Sequence, residues 1–305
     1  MTATATAPPV APQKRSSRTT AANEAHRLLP RPLLVIVTVI LCAMVLIPTA
    51  YIVLASLNTD IGVAEGQFWP SSFSLESYTK IWTTAHLATG LLNSIVVAGF
   101  TAVASALLGT MTAYVLVRYT FTGRLTILRG LVGLQSVPGT LMLLPVFVLF
   151  SSAGNYLGIA VVGTRWGLFL AYLTFALPFS TWVMVTYLRG LPRELEEAGR
   201  VDGASSLRIL FRIIIPLSLP AIVVSGIFAF LLGWNDVLFA SVLTRPETQT
   251  AAVALSTFGA TQEGGALPVY SQVMAAALVS AAPVVLLYLI FQRYLVGGLT
   301  AGGVK

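Results

Sequence analysis

Few of the 305 residues carry side chains suited to chemistry, and the charged ones crowd into one place. Between two long apolar stretches runs Leu191-Pro192-Arg193-Glu194-Leu195-Glu196-Glu197-Ala198-Gly199-Arg200-Val201-Asp202-Gly203-Ala204-Ser205-Ser206. Its carboxylates and guanidiniums stand beside no histidine or cysteine, so the chemistry on offer is recognition of another surface through charge-assisted contacts. Elsewhere the side chains exclude more than they offer. Cys42 is the lone cysteine and sits inside an apolar run, so no internal disulfide forms, and its plain reading is a small packing residue. His26 and His86 are far apart, so no histidine pair suggests a metal. A G-x-x-x-x-G-K-[ST] phosphate loop is missing, as are H-E-x-x-H and G-x-S-x-G. ATP hydrolysis by a phosphate loop is thereby excluded, and a protease or hydrolase is disfavoured.

The elements that position this segment follow from composition. With 56% hydrophobic residues, 10% charged and a mean hydropathy of +0.84, the chain is too apolar for a soluble globule. A hydrocarbon core of about 30 Å needs about 20 apolar residues in a helix. Six stretches qualify, at 33–57, 90–115, 130–153, 166–188, 217–241 and 269–292. The expected fold is all-α and integral to the membrane, six transmembrane helices with a polar loop at about 190–216. Residues 1–32, rich in Ala, Thr, Pro and Ser, read as a disordered tail ahead of a transmembrane domain over 33–305. Of eighteen Lys and Arg residues, only Lys80, Arg165 and Arg245 fall in the set of loops opposite the polar segment. Positive charge is retained on the cytoplasmic side, so both termini and the polar loop are expected there. The +7 net charge is thus a topology signal, spread over loops flanking the membrane, and not a nucleic-acid stripe. No ionisable residue lies in the middle of a span, Asp236 being near the end of the fifth, which argues against a self-powered ion-coupled carrier.

Within the polar loop, Pro192 suits a first helical turn, and Glu194, Glu196 and Glu197 complement the helix N-terminus. A short helix is expected to run to about Val201, with its Glu cluster facing solvent. Gly203 supplies the positive φ of a sharp turn, and Ser205 or Ser206 caps a second helix. In that helix Leu207, Leu210, Phe211 and Ile214 share one face, Arg208 and Arg212 another. Pro216 and Pro220 then lead into the next span. An ordinary interfacial amphipathic loop is the plain alternative. The small residues Ala198, Gly199, Gly203 and Ala204 favour a docking bracket, because they let another surface approach closely.

Glu197-Ala198-Gly199, Asp202-Gly203-Ala204, Ile215-Pro216-Leu217 and Pro220 resemble the EAA loop of permease subunits from binding-protein-dependent ABC importers. Gly199 stands where that family usually has a second Ala. Similarity continues from about Pro70 to Lys305 and points to the carbohydrate branch, of the second maltose-transport permease type. It is carried by Ser74-Leu75-Glu76-Ser77-Tyr78, Asn93-Ser94, Ala113-Tyr114 with Arg118, Pro138 and Pro145, and Trp234-Asn235-Asp236, with Asp where Glu is common. Gln292-Arg293-Tyr294, Gly297-Gly298-Leu299-Thr300 and the terminal Ala301-Gly302-Gly303-Val304-Lys305 complete it.

The resemblance implies a non-catalytic subunit of the bacterial inner membrane that imports a di- or oligosaccharide such as maltose or trehalose. Its implied partners are a second permease, two copies of a cytoplasmic ATP-binding subunit, an extracytoplasmic sugar-binding protein and membrane lipid. ATP and Mg would be bound by the ATPase subunits, with no cofactor in this chain. Glu197, Ala198, Gly199, Asp202, Gly203 and Ala204 would couple to the ATPase. Asn93, Trp234, Asn235 and Asp236 would line or gate the pathway, the alternative being interhelical hydrogen bonding for the two Asn and anchoring for Trp234. The loop from Thr244 to Gln272, with Gly259, Gly264 and Gly265, would reach the binding protein or serve as a flexible connector. The carboxyl-terminal glycines would allow an extended tail. A glycerol phosphate permease of the same superfamily and a self-sufficient secondary carrier are the rival functions.

Overall fold

The computed structural model describes residues 30–263 and 269–301, with the backbone alone at 261–263 and 295–301. The described residues contain helices, turns and loops, and no strand. Residues 1–29, which hold almost all of the expected tail, lie outside them. The chain forms two compact units, one ending at Ile52 and the other starting at Val53.

Most of helix α1 (Arg31–Ser56) belongs to the first unit. It is apolar throughout, and Val35, Ile40, Met44 and Ile47 are all exposed, which suits a hydrocarbon surround.

The second unit begins with two short helices, α2 (Asp60–Ala64) and α3 (Glu76–Thr84), which lead into the long α4 (Leu87–Arg118). After it come α5 (Arg124–Gln135), α6 (Gly139–Leu157) and α7 (Arg165–Arg189). Helix α8 (Glu194–Val201) and helix α9 (Ser206–Leu217) form the polar bracket. Then α10 (Leu219–Asn235), α11 (Leu238–Leu243), α12 (Ala251–Glu263) and α13 (Tyr270–Ala301) complete the described chain.

The core is α4 laid against α7 and α10. Small residues allow it: Ala98 and Ala113 are fully buried, and Ala106 nearly so. A Cβ on Gly109 would lie 3.0 Å from both Ser180 Cβ and the Thr181 nitrogen, so any other residue would make α7 give by a few tenths of an ångström at that crossing. These small residues form the seam of the bundle.

Among the described residues, five helices (α1, α4, α6, α7 and α13) are long and apolar enough to span a membrane, and a sixth span arises if α9 and α10 count together across their 76° bend. Two expected spans are corrected. The third does not run unbroken over 130–153: the chain breaks at Ser136 to Pro138, because Pro138 lacks an N–H and disfavours helix at Val137, and a new helix starts at Gly139. The fifth does not run to 241. It stops at Asn235, and Asp236 in extended conformation separates it from α11.

Two loops are also more ordered than expected. Thr244 to Gln272 contains helix α12, in which Gly259 is a half-buried helical residue. Gly264 and Gly265 lie outside the described residues. The backbone is helical through Gly297 and Gly298 to Ala301, so no extended tail begins before that point.

Candidate functional site

Helix α8 begins at Glu194, two residues after Pro192, and its first turn holds the three glutamates. The exit from α8 is a Schellman motif. Gly203 takes φ +73°, its N–H donates to the Arg200 carbonyl at 3.0 Å, and the Ala204 N–H reaches back to Gly199 at 2.9 Å. Ser205 opens α9, its Oγ accepting from the Arg208 N–H at 3.4 Å. The turn predicted at Gly203 and the Ser205 cap are both present.

Gly199 has its own reason. A Cβ there would meet Ile213 Cδ1 at 3.1 Å and Ile209 Cγ1 at 3.2 Å, so glycine lets α8 lie tightly on α9. The residue that departs from the usual family pattern is thus fitted to the two isoleucines beneath it.

The Glu cluster does not all face solvent. Glu197 is exposed, but Glu196 is buried and pairs with the Arg118 guanidinium at the end of α4. Tyr114 Oη, one turn back along α4, donates to Glu196 Oε2 at 3.4 Å, and Arg118 Nη2 donates to the Leu191 carbonyl at 3.2 Å. Burial without such partners would be prohibitive for either charge.

The expected apolar face of α9 is also corrected. Ile209, Leu210 and Ile214 are buried against Leu188, Met184 and Val117, whereas Leu207 and Phe211 are exposed. The buried set of Ile209, Leu210 and Ile214, with the half-buried Ile213, is itself one helical face, turned away from the expected one, and a π-helical turn at Leu210–Ile214 lies within it. Arg208 and Arg212 point outward as expected. The exposed surface of the bracket therefore combines Glu197, Ala198, Asp202 and Gly203 with Val201, Leu207 and Phe211. Sequence reasoning placed Leu207 and Phe211 on the apolar face and gave Val201 only as the helix end, so it did not foresee their exposure; the signal nearest to hand was the apolar Val201 two residues before the turn glycine, 87% exposed.

The second group of expected residues lies at the far end of α10. Asn235 borders two cavities. One, of about 500 Å³, is walled by Phe179, Phe228, Leu231, Leu232 and Asp236; the other, of about 370 Å³, by Trp234, Ala251, Leu255, Ser280 and Val284. Asp236 accepts hydrogen bonds from Tyr172 Oη and the Ala240 N–H, each at 2.9 Å. Trp234 is mostly buried and stacks on Phe230 at 5.2 Å.

Asn93 lies apart from those cavity walls. It is fully buried in α4, and its amide donates to the carbonyls of Glu247 (3.1 Å) and Gln249 (2.8 Å). Neighbouring Ser94 Oγ accepts from the Ala251 N–H at 2.9 Å, so the pair fastens the segment leading into α12. This is hydrogen bonding between elements, the alternative held open for Asn93. No His, Cys, Asp and Glu cluster able to hold a metal exists among the described residues.

The chain as a whole is similar to known proteins. Residues 105–300 match the family described as "Binding-protein-dependent transport system inner membrane component". The chain is 31% identical over 283 residues to the trehalose/maltose transport system permease protein MalG of Thermococcus litoralis, covering 92% of this chain and 99% of that one. It is 32% identical over 261 residues to the trehalose transport system permease protein SugB of Mycobacterium tuberculosis, covering 85% and 92%. Among solved structures, a chain of a bacterial ABC transporter that imports the acidic polysaccharide alginate superposes with a TM-score of 0.71 at 22% identity, covering 92% and 98%. That likeness is one of fold.

Proposed function

The chain belongs to the family of binding-protein-dependent transport system inner membrane components, and from that membership we propose that it is one transmembrane half of an ATP-driven sugar importer, passing a di- or oligosaccharide such as maltose or trehalose. The observation that carries this reading is the α8–α9 bracket, closed at Gly203 and exposing Glu197 and Val201 where a cleft of a cytoplasmic ATPase would receive them. One ATPase subunit docks there and a second docks on a partner permease. ATP and Mg stay on those subunits. A sugar-binding protein delivers the solute to the opposite face, and both termini of this chain lie in the cytoplasm, in keeping with the distribution of Lys and Arg.

The mechanism is a shift between two states. Closure of the ATPase pair moves the bracket, and the helices change which side of the membrane the pathway faces. Moving such an equilibrium from 1:99 to 99:1 takes about 5.5 kcal/mol of differential binding, which nucleotide and loaded binding protein together supply. Asn235 and Asp236 border the pathway at the end of α10, where Asn235 lines two cavities.

Reconstitution in vesicles tests the reading. Uptake of labelled maltose or trehalose is expected only with the partner permease, the ATPase, ATP and the binding protein all present. The chain alone is expected neither to hydrolyse ATP nor to move sugar. Gradient-driven uptake by the chain alone would sink it in favour of a secondary carrier.

A further inference from the structure

We propose that α4 is a rod gripped at both ends, by Glu196 on Arg118 at one and by Asn93 on the 247–249 backbone at the other, and that it carries movement of the bracket to the segment entering α12. This rests on the reading of α8–α9 as the ATPase docking site, and it assigns Arg118, Glu196 and Asn93 as positioning residues.

The grip at the bracket end is double. Arg118 holds both the α8 side chain of Glu196 and the Leu191 carbonyl that precedes α8, with Tyr114 reinforcing Glu196. Both charged side chains are only 4% exposed. A buried ion pair is a poor choice for stability alone, since apolar residues of similar volume often do as well or better. What it adds is directional, all-or-none registry between α8 and α4.

The opposite grip is equally specific. Asn93 is fully buried and donates both its amide bonds to the backbone of 247 and 249, Ser94 accepts from Ala251, and a Cβ on Gly90 would lie 3.0 Å from Ala251 Cα. From Asn93 to Arg118 the helix is unbroken, a rise of roughly 37 Å at 1.5 Å per residue. Between the grips, the small residues Ala98, Ala106, Gly109 and Ala113 alternate with larger buried ones such as Val97, Tyr114 and Leu116, so α4 packs closely along its length. Small shifts of such packed helices are one form that switching transitions take. The load ends near function, because Ala251 and Leu255 wall the cavity that Asn235 borders. The rod is thus a contiguous physical connection between the docking bracket and the pathway.

The test uses the complete transporter in vesicles, with a thiol reporter at Glu247→Cys in a Cys42→Ser background. With the native pair, adding a non-hydrolysable ATP analogue is expected to change the labelling rate at position 247. The double substitution R118M/E196L is expected to assemble with undiminished thermal stability, while the nucleotide-dependent labelling change is lost and uptake falls about tenfold. Asn93→Leu is expected to give the same signature from the other end. Retained labelling response and uptake in R118M/E196L would overturn the proposal, as would the absence of any response in the native pair. So would failure of both variants to assemble, which would make the two grips folding elements. A parallel Glu197→Lys variant separates the premises: if it keeps ATPase docking and uptake, the docking reading itself fails, whereas the rod alone fails if Glu197→Lys is inactive and R118M/E196L stays coupled.

Discussion

Tyr172 on α7 donates its hydroxyl hydrogen to Asp236 Oδ2 at 2.9 Å, joining a buried aromatic to the residue that separates α10 from α11. The same carboxylate oxygen accepts from Ala240, so Asp236 also caps α11. Deleting the hydroxyl in Tyr172→Phe removes one bond and is expected to cost about 1 kcal/mol. Asp236→Ala removes that bond and the cap together and should cost more, with Asp236→Asn in between. Thermal unfolding in detergent orders the three; equal stability of Tyr172→Phe and Asp236→Ala would show that the cap contributes nothing.

Gly203 separates conformational strain from crowding. Its φ is +73°, yet a Cβ there would meet nothing within 4 Å. Substitutions should therefore rank by their tolerance of the left-handed region and not by size. Asn is expected to retain most uptake, Ala less, and Val least, the left-handed conformation costing roughly 1–2 kcal/mol for an ordinary residue. Uptake in vesicles, normalised to the amount inserted, checks the order. A Val variant as active as Asn would mean that the turn is not needed for docking.

How much of this was legible beforehand depended on whether the signal was local. The turn at Gly203 and the Ser205 cap were readable because glycine and serine there satisfy local backbone needs. The seam of Ala98, Ala106, Gly109 and Ala113 is likewise local in origin, small residues at helical spacing that let α4 pack closely on its neighbours. The Arg118–Glu196 pair was not: each looks like a surface charge next to its own neighbours, and only the fold brings α4 to α8. The buried face of α9 was hidden for a different reason, since apolar residues at 207, 209, 210, 211, 213 and 214 offer two overlapping helical faces and spacing alone does not say which one meets the core. The break before Gly139 was in plain view at Pro138, but hydropathy outweighed it in setting the third span.

Asp60 makes a long-range cap that the sequence did not reveal. Its Oδ1 accepts from the N–H groups of Ser271 at 3.0 Å and Gln272 at 3.3 Å, and its Oδ2 from Gln272 Nε2 at 2.9 Å, all in the first turn of α13. A carboxylate there satisfies free N–H groups and complements the helix dipole. Asp60→Ala is expected to destabilise the isolated chain by about 1–2 kcal/mol. Asp60→Asn should recover part of that loss. Hydrogen exchange at Ser271 and Gln272 checks the site directly, since faster exchange there, ahead of the rest of α13, is the expected local result.

Glu197 and Glu196 are adjacent glutamates with opposite surroundings, and reversing the charge of each should have different consequences. Glu197 is exposed on the bracket, so Glu197→Lys leaves α8 intact and changes only what the surface offers to a partner. Reversing an exposed interfacial charge acts through screened Coulomb attraction, so docking of the ATPase should weaken most at low salt, and the difference from native should shrink as salt rises. Glu197→Gln is expected to be milder. Glu196→Lys instead places a second cation against Arg118 in a buried site, and the chain itself should become unstable. Copurification of the ATPase at low and high salt, alongside thermal unfolding of the permease, distinguishes the two. If Glu197→Lys lowers stability as much as Glu196→Lys, the exposed bracket is a folding element and not a docking surface.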